Sequence, residues 1–236
     1  MYFDGSWPQA MPASYQAMLA RLVALGYSLP PDFSDRFSQR QWEHISQREM
    51  EFVEYTALHQ LRDLLAESGY PQASPAHLRQ ALDAMYAVTQ PFWKLEADTL
   101  TALEDLRCRR CLRLGLVSNS GDTLEVRHLL HKLGLEAFFE QVLISAELGI
   151  RKPNPAIFQL ALDFFKVPAS QAVMVGDTLG ADILGAQNAG IFSIWIPRRS
   201  LNRPDTLAHA GTILPNATIT DLSELGSLLD KLSACP

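Results

Sequence analysis

The chain has 236 residues, 47% hydrophobic and 19% charged, enough for one large domain or a core with a smaller module. Its formal net charge of −6 argues against nucleic acid as a main partner, because phosphate backbones are bound by basic faces. No apolar run reaches membrane-spanning length and no basic segment precedes an apolar one at the N-terminus, so a cytoplasmic protein without a membrane partner is expected.

The texture changes near Pro91. Residues 1–11 read as a linker, 12–91 as a helical segment, and 92–236 as an α/β core. In the helical segment, Tyr15, Met18, Leu19, Leu22 and Val23 recur at helical spacing, with Gly26 as a stop. A second helix carries Phe52, Leu58, Leu61, Leu64 and Leu65. A third starts at Ser74-Pro75, a cap followed by a proline at the first helical position, and buries Leu78, Leu82 and Met85. Beyond Pro91 short apolar strands alternate with helices. Leu112 to Val117 is a strand ending at Ser118, and Leu124, Leu129, Leu130 and Leu133 mark the helix after it. A short strand runs from Val142 to Ile144, and a helix carries Ile157, Phe158, Leu160, Ala161, Phe164 and Phe165. Ala172 to Val175 is a strand ending at Gly176-Asp177, followed by a small-residue helix from about Ala181 to Ala189. Phe192 to Ile196 and Ala217 to Ile219 complete the strands. This alternation implies a doubly wound, Rossmann-like parallel sheet with helices on both faces.

Three cysteines, Cys108, Cys111 and Cys235, fit a reducing compartment. Cys108 and Cys111 have C-x-x-C spacing, but no second pair completes a zinc site, so they read as two unrelated thiols. Arg198, Arg199 and Arg203 read as a solvated basic loop. Trp42, Phe52, Tyr55 and Phe92 read as core in preference to a cleft lining.

In open α/β sheets ligands bind beyond the carboxyl ends of the strands. The polar groups there are Ser118 and Asn119, Lys152 in the loop Gly149 to Pro155, Asp177, and Asp182 at the start of the next helix. Two carboxylates can hold magnesium, which prefers few protein carboxylates plus substrate oxygens. A lysine and a hydroxyl can neutralise and orient a phosphoryl group. The set suits phosphoryl transfer but contains neither a nucleophile nor a base for water.

These segments resemble a known family. Leu114 to Asn119, Arg151-Lys152-Pro153-Asn154-Pro155-Ala156-Ile157-Phe158, and Val173 to Asp182 are similar to the second, third and fourth motifs of the haloacid dehalogenase superfamily, in the branch with a helical cap inserted after the first strand. Trp93 to Leu100 resembles the return from that cap to the core. The resemblance implies a phosphohydrolase acting on a small phosphorylated metabolite with Mg2+ as cofactor. Ser118 would hydrogen-bond the phosphoryl group, Asn119 shape the loop, Lys152 pair with nucleophile and phosphate, Asp177 bind the metal, and Asp182 serve as a second or outer-shell ligand.

The family's first motif, a strand ending in Asp-x-Asp-Gly-Thr, supplies the nucleophile of the aspartyl-phosphate and the acid/base. Here the chain begins Met1-Tyr2-Phe3-Asp4-Gly5-Ser6-Trp7. Either Asp4-Gly5-Ser6 replaces the motif's end, placing Tyr2 at the nucleophile, or the whole motif lies upstream of Met1. The second alignment is preferred, with Tyr2 to Trp7 as linker and no strand before residue 4. The sheet is then expected to lack a middle strand and to hold an open slot. A non-catalytic binding protein on the same scaffold is the alternative. A haloacid dehalogenase is a further one, less favoured because that chemistry needs no metal.

Overall fold

The computed structural model describes residues 1–234, apart from the side chains of residues 44–50, 205 and 234; Cys235 lies outside the described residues. In chain order the elements are β1 (Tyr2–Phe3), α1 (Trp7–Ala24), α2 (Phe33–Glu51), α3 (Ala57–Glu67), α4 (Pro75–Thr89), β2 (Trp93–Lys94), α5 (Thr99–Glu104), β3 (Gly115–Ser118), α6 (Thr123–Lys132), β4 (Gln141–Ile144), α7 (Ser145–Leu148), α8 (Pro155–Phe165), β5 (Val173–Gly176), α9 (Leu184–Asn188), β6 (Phe192–Trp195), α10 (Pro204–His209), β7 (Ala217–Thr218) and α11 (Leu225–Ala234). They fall into two compact units. One comprises Met1–Glu96 and Ser120–Gly134, the other Ala97–Asn119 and Leu135–Pro236. Among the described residues no helix is long and apolar enough to cross a membrane.

The first unit is built on helices. Met18 and Leu22 of α1, Phe33 and Phe37 of α2, Leu61, Leu64 and Leu65 of α3, and Leu78, Leu82 and Met85 of α4 form one buried cluster. Thr56 caps α3 by accepting a hydrogen bond from the His59 N–H, which satisfies a donor the helix cannot use internally. Helix α2 is a departure from the sequence reading. Among its residues with described side chains, the large apolar ones it buries are Phe33 and Phe37, so it lacks a long apolar stripe. Phe52 lies outside α3, with a left-handed backbone (φ 53°). The aromatics read as core are not buried: Trp42 is 65% and Phe92 37% exposed, and Phe52 and Tyr55 are half-buried. Val23 and Leu58 are likewise exposed.

The reading of Tyr2 to Trp7 as plain linker is corrected. Tyr2 and Phe3 form a two-residue strand, antiparallel to Trp93–Lys94, and α1 already begins at Trp7. Phe3 packs edge-on against Trp7 and Trp93, with centroids 4.7 and 5.6 Å apart, which holds this short pair in place.

The second unit carries parallel β-structure with helices, the expected α/β class. Its strands form two separate sheets. β3 pairs in parallel with β4, from Gly115 opposite Gln141 to Ser118 opposite Ile144. β5, β6 and β7 form a second parallel sheet in that order. No ladder joins β3 to β5. The consequence is visible in their burial. Leu116, Val117, Met174 and Val175 are apolar strand residues yet only half-buried, whereas Ser193 and Ile194 of β6, flanked on both sides, are fully buried. Apolar clusters cover the sheets: Ile157, Phe158 and Leu162 of α8 with Leu143, and Leu106, Ile194, Ile219 and Leu225 elsewhere.

Candidate active site

Ser118 is the last residue of β3 and is half-buried. The next residue, Asn119, does not cap a helix. Its amide makes two hydrogen bonds to the backbone of one residue, donating from Nδ2 to the Lys152 carbonyl (2.9 Å) and accepting at Oδ1 from the Lys152 N–H (2.9 Å). An asparagine can mimic a strand partner in this way because it offers one donor and one acceptor side by side. The pair fixes the Lys152 loop to the end of β3. The Lys152–Pro153 peptide bond is cis. Asn154 then caps α8 by accepting from the Ala156 N–H, with Pro155 at the first helical position.

Lys152 is 8% exposed and is no solvated loop charge. Its ammonium donates to the Val117 carbonyl and to Asp182 Oδ1, both at 2.7 Å. The carbonyl belongs to β3, the strand whose outer edge has no ladder. Asp182 is 5% exposed, and its other oxygen, Oδ2, accepts the N–H groups of Asp177 (3.1 Å) and Thr178 (3.0 Å). A buried carboxylate with one ammonium and two N–H donors is compensated on both oxygens. The Lys152–Asp182 pair therefore bridges the carboxyl ends of β3 and β5, which share no strand hydrogen bonds.

The bridge demands close approaches. A Cβ on Gly176 would overlap the Asp182 side chain, so only glycine lets β5 pass this carboxylate. A Cβ on Gly185 would overlap the Phe158 ring, so α8 and α9 also need a small residue where they meet. Asp182 lies in a wide π-type turn, Leu179–Ile183, that leads into α9; the sequence reading had a regular helix from about Ala181.

Asp177 is held by its backbone. Its N–H binds Asp182, and its carbonyl accepts Trp195 Nε1–H at 3.1 Å. The carboxylate is left 44% exposed and accepts a hydrogen bond from Arg203 at 2.9 Å. Reading the basic trio as a solvated loop is thus corrected for two members. Arg203 pairs with Asp177, and Arg198 is 19% exposed, forked onto Asp98 (2.9 and 2.6 Å) and touching Asp221 (2.7 Å). Arg198, assisted by the Leu222 N–H, lowers the Asp98 carboxyl to about 2. Sequence reasoning missed both partners because each pair joins residues distant in sequence. It also passed over Trp195 and the Thr178 amide, neither of which is chemically reactive alone.

Among the described residues, no group of three or more His, Cys, Asp or Glu side chains could hold a metal. Asp177 alone presents a half-exposed oxygen donor, and both oxygens of Asp182 are already occupied. That donor set suits a hard cation such as magnesium, which takes one or two carboxylates and keeps water or phosphate oxygens for the rest. Cys108 and Cys111 are free and exposed.

In open parallel α/β units ligands bind beyond the carboxyl ends of the strands, which is where this unit gathers its lysine, serine and acids. A model of the haloacid dehalogenase-like hydrolases matches residues 4–190, and the chain belongs to that family. It is 36% identical over 164 residues to the phosphoserine phosphatase of Thermus thermophilus, covering 70% of this chain and 61% of that one. It is 37% identical over 120 residues to the pyrimidine 5′-nucleotidase YjjG of Escherichia coli K12, covering half of each. The matched region thus spans half to about three fifths of these curated relatives. The crystal structure of a 2-haloacid dehalogenase from Pseudomonas syringae pv. Tomato DC3000 superimposes with a TM-score of 0.65 at 26% identity, over 98% of this chain and 94% of that one.

Proposed function

We propose that this chain forms the phosphate- and metal-binding part of a magnesium-dependent phosphatase for a small phosphorylated metabolite, working through an aspartyl-phosphate. The observation that carries the reading is the Asn119–Lys152–Asp182–Asp177 network joining the carboxyl ends of β3 and β5. Two of the three N–H bonds of the Lys152 ammonium are engaged, on Val117 and Asp182, which leaves one for an incoming anionic oxygen. The Ser118 hydroxyl at the same strand end donates to a second phosphoryl oxygen. Asn119 and Asp182 act on the lysine: one fixes its backbone, the other its ammonium. Asp177 holds the metal, with Asp182 behind it orienting the Asp177 and Thr178 amides. Magnesium, when bound, neutralises charge on the transferring phosphoryl group.

In this mechanism the attacking carboxylate would be the first aspartate of an Asp-x-Asp-Gly-Thr motif, which this sequence does not contain. Its oxygen forms the new bond to phosphorus as the substrate's ester oxygen departs and takes a proton from a neighbouring acid. Water then cleaves the acyl phosphate to release orthophosphate. Relatives bearing phosphatase and nucleotidase names favour phosphate esters over organohalides.

The test is a protein extended at its N-terminus by the coding sequence ahead of Met1, assayed on a generic aryl phosphate and on 2-chloropropionate. Magnesium-dependent phosphate release is the expected result. Halide release without metal would identify a dehalogenase. An extended protein that carries Asp-x-Asp-Gly-Thr yet performs neither reaction would leave the binding-protein reading in its place.

A further inference from the structure

The turn between β6 and α10 is built to return one guanidinium to the strand end. Ser200 is fully buried, and both its N–H (2.6 Å) and its hydroxyl (3.1 Å) donate to the Pro197 carbonyl. Arg203 N–H donates to the Ser200 carbonyl at 2.9 Å, and the Arg203 carbonyl in turn accepts from Leu207 N–H. Arg198, at the start of the same turn, is anchored by its fork onto Asp98. Trp195, the last residue of β6, holds the Asp177 carbonyl. One connection therefore pins the backbone of Asp177 at one end and covers its carboxylate at the other, where Arg203 sits 2.9 Å from Oδ2.

Resting on the reading of Asp177 as the metal ligand, we infer that Arg203 is a built-in competing cation that sets the affinity of that carboxylate for magnesium. A carboxylate already neutralised by a guanidinium offers less to a divalent ion, and the metal must either displace the arginine or bind beside a like charge. Because the turn is held by backbone and Ser200 hydrogen bonds that do not involve the Arg203 side chain, the guanidinium can swing off Asp177 without unfolding the turn. Both side chains are about half exposed, so the competition is modest and weakens with salt. The arrangement keeps the metal exchangeable and leaves a positive group at the rim once the metal has taken the carboxylate.

Calorimetric titration of the full chain with Mg2+ tests this, using wild type, Arg203→Gln, Arg203→Lys and Asp177→Asn, at low and high ionic strength. Thermal melting confirms that each variant is folded. Arg203→Gln is expected to tighten Mg2+ binding roughly two- to five-fold at low salt, the range an exposed ion pair can supply. Arg203→Lys should stay near wild type, and the Gln advantage should shrink at high salt. Asp177→Asn should remove the site in either background. If Mg2+ binds wild type and Arg203→Gln equally, or binds the variant more weakly, the competing role is overturned while the magnesium reading stands. If Mg2+ binds neither and Asp177→Asn changes nothing, the metal reading itself falls and the inference with it.

Discussion

Asp182 shows how much a single side chain carries in this site. Its two oxygens compensate a buried ammonium and two backbone amides, and its position is allowed only because residue 176 has no Cβ. Asp182→Ala would leave the Lys152 charge buried and unpaired. Breaking a buried pair in this way costs about 3–5 kcal/mol, against a typical domain stability of about 5–15 kcal/mol. Chemical denaturation should therefore show a much lower midpoint for Asp182→Ala, and Asp182→Asn should lose less because its amide oxygen still accepts from one partner. Asp98 gives a second, pH-dependent expectation. Its folded value of about 2 lies below the ordinary 3.8, so the pairing with Arg198 stabilises the fold fully above about pH 4. That contribution is lost as pH falls from 3.8 toward 2. Discounted for solvent access, it is on the order of 1–2 kcal/mol. Asp98→Asn should flatten the fall in stability across that window, measured by thermal melting between pH 5 and 2. Ser118, Asn119, Lys152, Asp177 and Asp182 were all legible as residues at strand ends or just past them. Which partner each would take was not, since hydrogen bonds such as Asn119 to Lys152 depend on how loops meet in space.

At the scale of elements, apolar strands declared themselves best. β3, β4, β5 and β6 are short apolar runs followed by a polar residue or a turn, and each appears within a few residues of its expected place. Polar or short helices did not. α2 buries Phe33 and Phe37 among charged neighbours, and α5 and α10 have six residues each, too few for a periodic stripe to stand out. The sequence also implied an unfilled place in the sheet. The structure has β3 and β5 without a shared ladder, with their ends bridged by a lysine–aspartate pair instead. Each unpaired backbone group that becomes buried costs about 1–3 kcal/mol, so these edges remain half-exposed. Hydrogen exchange should reflect this. The outward-facing amides of Gly115–Ser118 and Val173–Gly176 are expected to exchange quickly, while those of β6 are protected. Equal, strong protection of β3 and β5 in the present chain would contradict an open slot between them.

The whole molecule combines an apolar helical unit with an α/β unit whose reactive side chains collect where its two sheets end. Fold class and family were legible because three ordered segments, each following a strand, coincide only rarely. Substrate identity was not, because no residue pattern in the sequence singles out one phosphate ester over another. The claim underlying the whole reading is that Ser118, Lys152 and Asp177 together grip a metal-bound phosphoryl group. The most direct measurement is equilibrium binding of orthophosphate to this chain with and without Mg2+, for wild type, Ser118→Ala and Asp177→Asn. Phosphate should bind more tightly with Mg2+, Asp177→Asn should abolish that enhancement, and Ser118→Ala should weaken binding by about tenfold, the value of one charge-assisted hydrogen bond. Phosphate binding that ignores magnesium and both substitutions would contradict it.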